Sequence, residues 1–134
     1  MDLFDALENH NLQLLGKLLA EGENPNRPQT DSPTWVPLKS AIEELADGGP
    51  LEAVTLLLRH GADVEGVREP GDSTPLIVAA FNRQFEASLI LLAAGADSNA
   101  RDDEGETPLT LCINNHDQRL ESALRLCGAT ESFR

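Results

Sequence analysis

Two short marks recur along this chain at one fixed interval, and that interval constrains the fold more than any other feature. Gly-Ala-Asp stands at Gly61-Ala62-Asp63 and again at Gly95-Ala96-Asp97, 34 residues later. Thr-Pro-Leu stands at Thr74-Pro75-Leu76 and at Thr107-Pro108-Leu109, 33 residues later. In the last two units the Pro precedes its own Gly by 20 residues. Degenerate copies lie at Gly22-Glu23-Asn24-Pro25, Val36-Pro37-Leu38 and Gly128-Ala129-Thr130, and a leucine-rich stretch precedes each Gly. A unit of this size cannot bury a hydrophobic face alone, so it must stack on its neighbours.

The punctuation of one unit predicts its local structure. Thr74 and Thr107 are N-cap residues, and the Pro after each fits the first helical position, where no N–H is needed. A short helix is expected from Pro75 to about Asn82, with Ala79-Ala80 on its close-packed face. After a turn, a longer helix runs through Phe85, Leu89, Leu91 and Leu92 and ends at Gly95, which supplies a left-handed residue. Leu92 is expected between neighbouring helices. The polar stretch 95–105 carries turn chemistry and closes the unit.

Composition agrees with helices and narrows the partners. Leu and Ala supply 37 of the 54 hydrophobic residues, Val and Ile 9, and Tyr is absent. Leu and Ala favour helices, whereas β-branched and aromatic residues favour strands, so a sandwich or barrel is excluded. No apolar run approaches the ~18 residues of a membrane span, and Met1-Asp2 opens no secretion signal. A soluble, all-helical, cytoplasmic protein is expected. Asp and Glu outnumber Lys and Arg by 23 to 10, a formal charge of −13. Nucleic acids and anionic membranes are bound by clustered cations. Lys17, Lys39 and eight scattered Arg form no such stripe. The field favours basic proteins instead. Cys112 and Cys127 lie outside metal-ligand spacing and read as free thiols.

The sequence resembles the ankyrin repeat family. The resemblance rests on Gly105-Glu106-Thr107-Pro108-Leu109 and on Leu91-Leu92-Ala93-Ala94-Gly95-Ala96-Asp97-Ser98-Asn99. It covers the chain as four units, approximately 1–33 as an N-terminal cap, 34–73, 74–106 and 107–134 as a C-terminal cap. It implies an all-α solenoid of stacked helix-turn-helix units joined by hairpin loops. Three departures stand out. The family's His after Thr-Pro-Leu is replaced by Lys39, Ile77 and Thr110, so its Thr–His hydrogen bond cannot form. Unit two spans 24 residues from Pro37 to Gly61, and the extra four are expected in a longer turn around Asp47-Gly48-Gly49-Pro50. A further residue enters the hairpin at Pro70-Gly71, and the 26–34 loop, with Pro28 and Pro33, is longer and stiffer than a standard hairpin.

Catalytic chemistry finds no support. His10, His60 and His116 fall at helix ends without ligand spacing, which suits capping or surface roles. There is no phosphate-binding glycine loop and no nucleophile motif. The paired acids Glu43-Glu44 and Asp102-Asp103-Glu104 lack the enclosing cleft that would separate their pKa values. No catalytic residue, cofactor or metal is expected.

What remains is a surface. The resemblance implies a concave partner-binding face built from hairpin tips and from exposed positions of each first helix. Carried over residue by residue, the hairpin set is Trp35, Ser73, Arg101, Asp103, Glu104 and Glu106. The helix set is Glu43, Glu44, Phe81, Asn82, Asn114 and Asn115. Trp35 and Phe81 stand out because aromatics are enriched among interface hot spots. Each has a second reading: Trp35 as local core over the 26–34 loop, Phe81 as packing between units. Phe85 reads as core, and Leu89 as an exposed apolar spot. The expected function is non-enzymatic binding of a basic protein partner by a chain that is monomeric when unbound, as an inhibitor or immunity-type protein. The alternative is a regulatory scaffold or adaptor holding a peptide, with an enzyme a distant third.

Overall fold

A computed structural model of the chain describes residues 2–67 and 72–130. The residue expected to lengthen the hairpin at Pro70-Gly71 therefore lies outside the described residues. Eight α-helices follow in order: α1 (Leu3–Glu8), α2 (Leu12–Ala20), α3 (Pro37–Glu44), α4 (Glu52–Arg59), α5 (Pro75–Phe81), α6 (Phe85–Ala93), α7 (Pro108–Asn114) and α8 (Gln118–Leu126). Among the described residues there is no strand, only one isolated bridge between Gln29 and Ser32 in the long first loop.

The helix starts follow local chemistry. The Thr74 hydroxyl accepts the Ile77 N–H at 3.3 Å, and Pro75 fills the first helical position. At α7 the replacement of the family's His by Thr110 produces a capping box instead. Thr107 Oγ1 accepts the Thr110 N–H at 3.1 Å, and Thr110 Oγ1 accepts the Thr107 N–H at 2.8 Å. Two donors left over at the helix start are thereby satisfied together. Val36 gives α3 no side-chain cap, so the degenerate copy of the motif keeps its Pro and loses its hydroxyl.

The helix ends share one device. A left-handed residue follows each: Gly at Gly22, Gly61, Gly95 and Gly128 after the second helices, and His10, Arg83 and His116 after three of the first. Paired backbone bonds close each end, as at Gly95, where Ala96 N–H donates to Leu91 O and Gly95 N–H to Leu92 O, both at 3.0 Å. Orphan carbonyls are satisfied in this way. Unit two absorbs its extra residues by running on from Glu44 into a 3₁₀ turn, Leu45–Asp47, before Gly48 turns left-handed. Gly49 comes next, and a Cβ there would lie 2.8 Å from the Glu44 carbonyl oxygen, so the turn admits nothing larger.

Packing produces two layers. α1, α3, α5 and α7 lie side by side in that order, and each packs on the second helix of its own unit. In the outer layer α2 packs on α4 and α6 on α8, while α4 and α6 approach each other less closely. Leu38, Leu76 and Leu109, one from each Pro-Leu mark, are buried in one continuous core with Ala79, Ala80, Leu57 and Leu124. Within the Leu91-Leu92 pair, Leu91 is the fully buried member and Leu92 is only partly buried. Leu92, expected between neighbouring helices, packs against this core while only partly buried, and Leu91, about 100° around the helix, is the fully enclosed member. Hydrogen bonds join successive hairpins: Asn26 Nδ2 donates to Gly61 O at 3.0 Å while its Oδ1 accepts the Asp63 N–H at 2.7 Å. Asn99 repeats the pattern on Gly128 O, at 3.1 Å, and Thr130 N–H, at 3.0 Å.

Candidate functional site

A groove of about 340 Å³ opens where the first helices meet the hairpins. Ile77, Val78 and Leu111 form its floor, Trp35 and Phe81 its aromatic walls, and Ser73 part of its hairpin side. Glu43, Asp102, Glu104 and Glu106 supply carboxylates, and among the described residues no cation lines it. The apolar floor and acidic surround come from three successive units, so stacking itself assembles the site.

Trp35 lies between its two sequence readings. Its backbone closes the long loop, with the Trp35 carbonyl accepting the Gln29 N–H at 2.8 Å and its own N–H donating to Ser32 O at 2.9 Å. Its indole is half-buried yet lines the groove, and Nε1 donates to Ser40 Oγ at 2.7 Å. Beneath the ring sits Lys39, whose ammonium lies 5.8 Å from the ring centroid. Phe81 is not packed between units: it is 67% exposed. An exposed Phe against an apolar floor is the kind of contact a partner desolvates.

The acidic side is built by local turns. In the last hairpin Asp102 Oδ1 accepts the N–H groups of Glu104 and Glu106, each at 2.9 Å, which fixes both residues on one side of the loop. Glu106 Oε2 accepts the Thr110 hydroxyl at 2.8 Å, and Glu104 stays exposed. On the helix side Asn82 Nδ2 donates to Glu43 Oε1 at 3.1 Å, tying α5 to α3.

The structure therefore brings together Trp35, Glu43, Ser73, Phe81, Glu104 and Glu106, with Asn82 behind Glu43. Arg101 and Asp103 are exposed on the last hairpin but do not line the groove. Asn114 is exposed at the end of α7 and Asn115 caps that helix, both outside the groove lining. Glu44 points elsewhere: its Oε1 lies 2.9 Å from His10 Nε2, over a cavity of about 10 Å³ between α1, α2 and α3. Adjacent helical residues are about 100° apart, so Glu43 and Glu44 cannot both face one groove. Ile77, Val78, Leu111 and Asp102 also line the groove, outside the set the resemblance implies; for Val78 and Leu111 the available signal is the 33-residue spacing that aligns them.

Other features carry less. A cleft of about 370 Å³ lies between the start of α1 and the 23–31 loop, but the Asp2 and Asp5 carboxylates there are engaged in the α1 capping box. Among the described residues, no group of three or more His, Cys, Asp or Glu side chains could hold a metal ion. Cys112 and Cys127 are both unpaired, the first buried and the second exposed. Burial, assisted by the negative charges of Asp117 and Glu121, pushes the Cys112 thiol up from 9.0 to about 12. Phe85 packs against the core as expected, with the Arg119 guanidinium 3.7 Å above its ring centroid. No helix among the described residues is long and apolar enough to cross a membrane.

Comparison with known proteins agrees with the architecture. The family model for ankyrin repeats matches residues 45–131 as three copies. Human protein phosphatase 1 regulatory subunit 27 is 33% identical over 82 residues, 61% of this chain and 53% of that one. The human 2-5A-dependent ribonuclease is 37% identical over 79 residues, 59% of this chain but 10% of the ribonuclease. Human mitochondrial disaggregase is 44% identical over 64 residues, 48% of this chain and 9% of that protein. The chain thus spans about half the length of the phosphatase subunit and a tenth or less of the other two. Ankyrin repeats mediate protein–protein interaction and are typically non-enzymatic, and by its repeats, its helix pairs and the family match this chain belongs to the ankyrin repeat family.

Proposed function

We propose that this chain is a non-enzymatic binding protein whose groove takes a partner with a basic surface. One observation carries the reading: an apolar floor with an exposed Phe81 is accompanied by four carboxylates and, among the described residues, by no lining cation. Charge complementarity of this kind raises association rates and disfavours acidic partners, while an apolar anchor supplies the desolvated contact. Stacked units hold these side chains in place beforehand, so little ordering entropy is lost on binding. Occlusion of a basic enzyme or toxin by an inhibitor or immunity-type protein is the sharper form of this reading. The same reading has the protein monomeric when unbound and in the cytoplasm, where Cys112 and Cys127 stay reduced.

A regulatory adaptor that holds a peptide is the second reading. It is favoured by the likeness to a protein named as a phosphatase regulatory subunit. Salt separates the two, because an occluding inhibitor of a basic target loses association rate steeply as ionic strength rises.

Selection from a random phage-displayed peptide library tests the groove itself. Selected peptides are expected to combine Lys or Arg with a large apolar residue, and to bind Phe81→Ala at least tenfold more weakly. Peptides without basic residues, or with equal affinity for wild type and Phe81→Ala, would sink the proposal.

A further inference from the structure

Lys39 is the one buried cation among the described residues, only 1% exposed. Burying a charge is costly unless it is paired and hydrogen-bonded, and this one is. Its Nζ lies 2.7 Å from Asp72 Oδ2 and donates to the Thr34 carbonyl at 3.1 Å. The ammonium also sits under the Trp35 ring, within the range of a cation–π contact. Its aliphatic stem runs past Gly66 in the next hairpin.

The fold does not require a cation there. Lys39 holds the same place in α3 that Ile77 holds in α5 and Thr110 in α7, two residues after the Pro of each mark. Ile77 is buried with no charge at all, and the stack closes around it. A buried ion pair is weak support for stability, since a hydrophobe of similar size serves as well. What Lys39 does that Ile77 does not is grip the two segments bearing hairpin-side groove residues. One segment is Thr34-Trp35; the other is Asp72, next to Ser73.

We infer that Lys39 is a positioning residue of the groove, holding the Trp35 indole and the Asp72-Ser73 segment in the orientation that receives a partner. The inference rests on the groove reading proposed above. It assigns Lys39 no contact with the partner: its effect passes through Trp35 and Asp72.

Trp35 is the only Trp, so its fluorescence reports its own surroundings. Lys39→Ile, which copies unit three, and Lys39→Ile with Asp72→Asn, which also removes the stranded carboxylate, are compared with wild type. The expected result is an unchanged helical signal, an acrylamide quenching constant raised about twofold, and a library-selected peptide bound about tenfold more weakly. In a Trp35→Ala background, Lys39→Ile is expected to add clearly less than its tenfold loss, because only the route through Asp72 and Ser73 is left. Unchanged quenching overturns the inference. So does a full additive loss in the Trp35→Ala background, or loss of the helical signal in both Lys39 variants, which would make Lys39 a structural residue. If Phe81→Ala leaves peptide binding intact, the groove reading has failed, whereas a weakened Phe81→Ala beside an unaffected Lys39→Ile rejects the positioning role alone.

Discussion

Glu65 accepts the Asp97 backbone N–H through Oε2 at 2.7 Å, while its Oε1 is buried without a hydrogen-bond partner. Asn26 and Asn99 hold the equivalent place four residues after Gly22 and Gly95, and each uses its amide nitrogen to donate to the next unit's glycine carbonyl. A carboxylate keeps the acceptor half of that arrangement and has nothing to donate.

Glu65→Gln keeps the shape and restores the donor. It is expected to stabilise the chain by about 1 kcal/mol, the net worth of one satisfied hydrogen bond. Urea denaturation at neutral pH measures this, and a lower midpoint for the variant would count against the description of the junction.

The leucine pair of α6 separates core from edge. Leu91→Ala removes a fully buried side chain and is expected to cost ~2–5 kcal/mol. Leu92→Ala, on a partly buried residue, is expected to cost about half as much or less. Equal losses in thermal melts would show that the helix is rotated from the orientation described.

Groove substitutions divide by what they do to binding. Phe81→Ala is expected to change stability by less than ~0.5 kcal/mol and to weaken a selected basic peptide by ~2 kcal/mol or more. Glu104→Lys with Glu106→Lys is expected to act mainly on the association rate and its salt dependence. Glu52→Lys and Glu86→Lys, both exposed and absent from the groove lining, serve as controls in the same stopped-flow assay. If the controls abolish binding and the groove variants do not, the partner uses another face.

Cys112 couples stability to alkaline pH. The folded chain keeps the thiol proton to about pH 12, whereas the ordinary thiol loses it near 9.0. Above pH 9.0 the unfolded chain therefore binds fewer protons than the folded one, and stability falls as pH rises. The slope from this group is about 1.4 kcal/mol per pH unit until the folded thiol itself ionises. Denaturant midpoints of wild type and Cys112→Ala compared across this range isolate the effect, and parallel curves would refute it. At neutral pH an alkylating reagent is expected to modify exposed Cys127 while buried Cys112 stays protected until denaturant is added.

The stack was legible because its signals are local and repeated. Thr107-Pro108 starts a helix and Gly95 ends one by conformational preference alone, and their 33-residue rhythm dictates stacking. Reading failed where the answer depends on non-local geometry. Lys39 stands in the sequence only as a replacement of the family's His, and nothing local shows that it is buried, because its partner Asp72 is 33 positions away. Repeat position pairs Glu44 with Glu43 as it pairs Asn82 with Phe81, but adjacent helical residues point about 100° apart, and Glu44 lies against His10. Of the aromatics, Phe81 was placed by repeat position, but Trp35 needed the closure of its loop to be seen.

The junction between units two and three is fastened unevenly. Across it Glu43 receives Asn82 on the groove side and Glu65 receives the Asp97 N–H in the hairpins, while α4 and α6 approach each other less closely. The bond that ties α5 to α3 ends on Glu43, a carboxylate that lines the groove, so the groove and the joint between units two and three rest on one side chain.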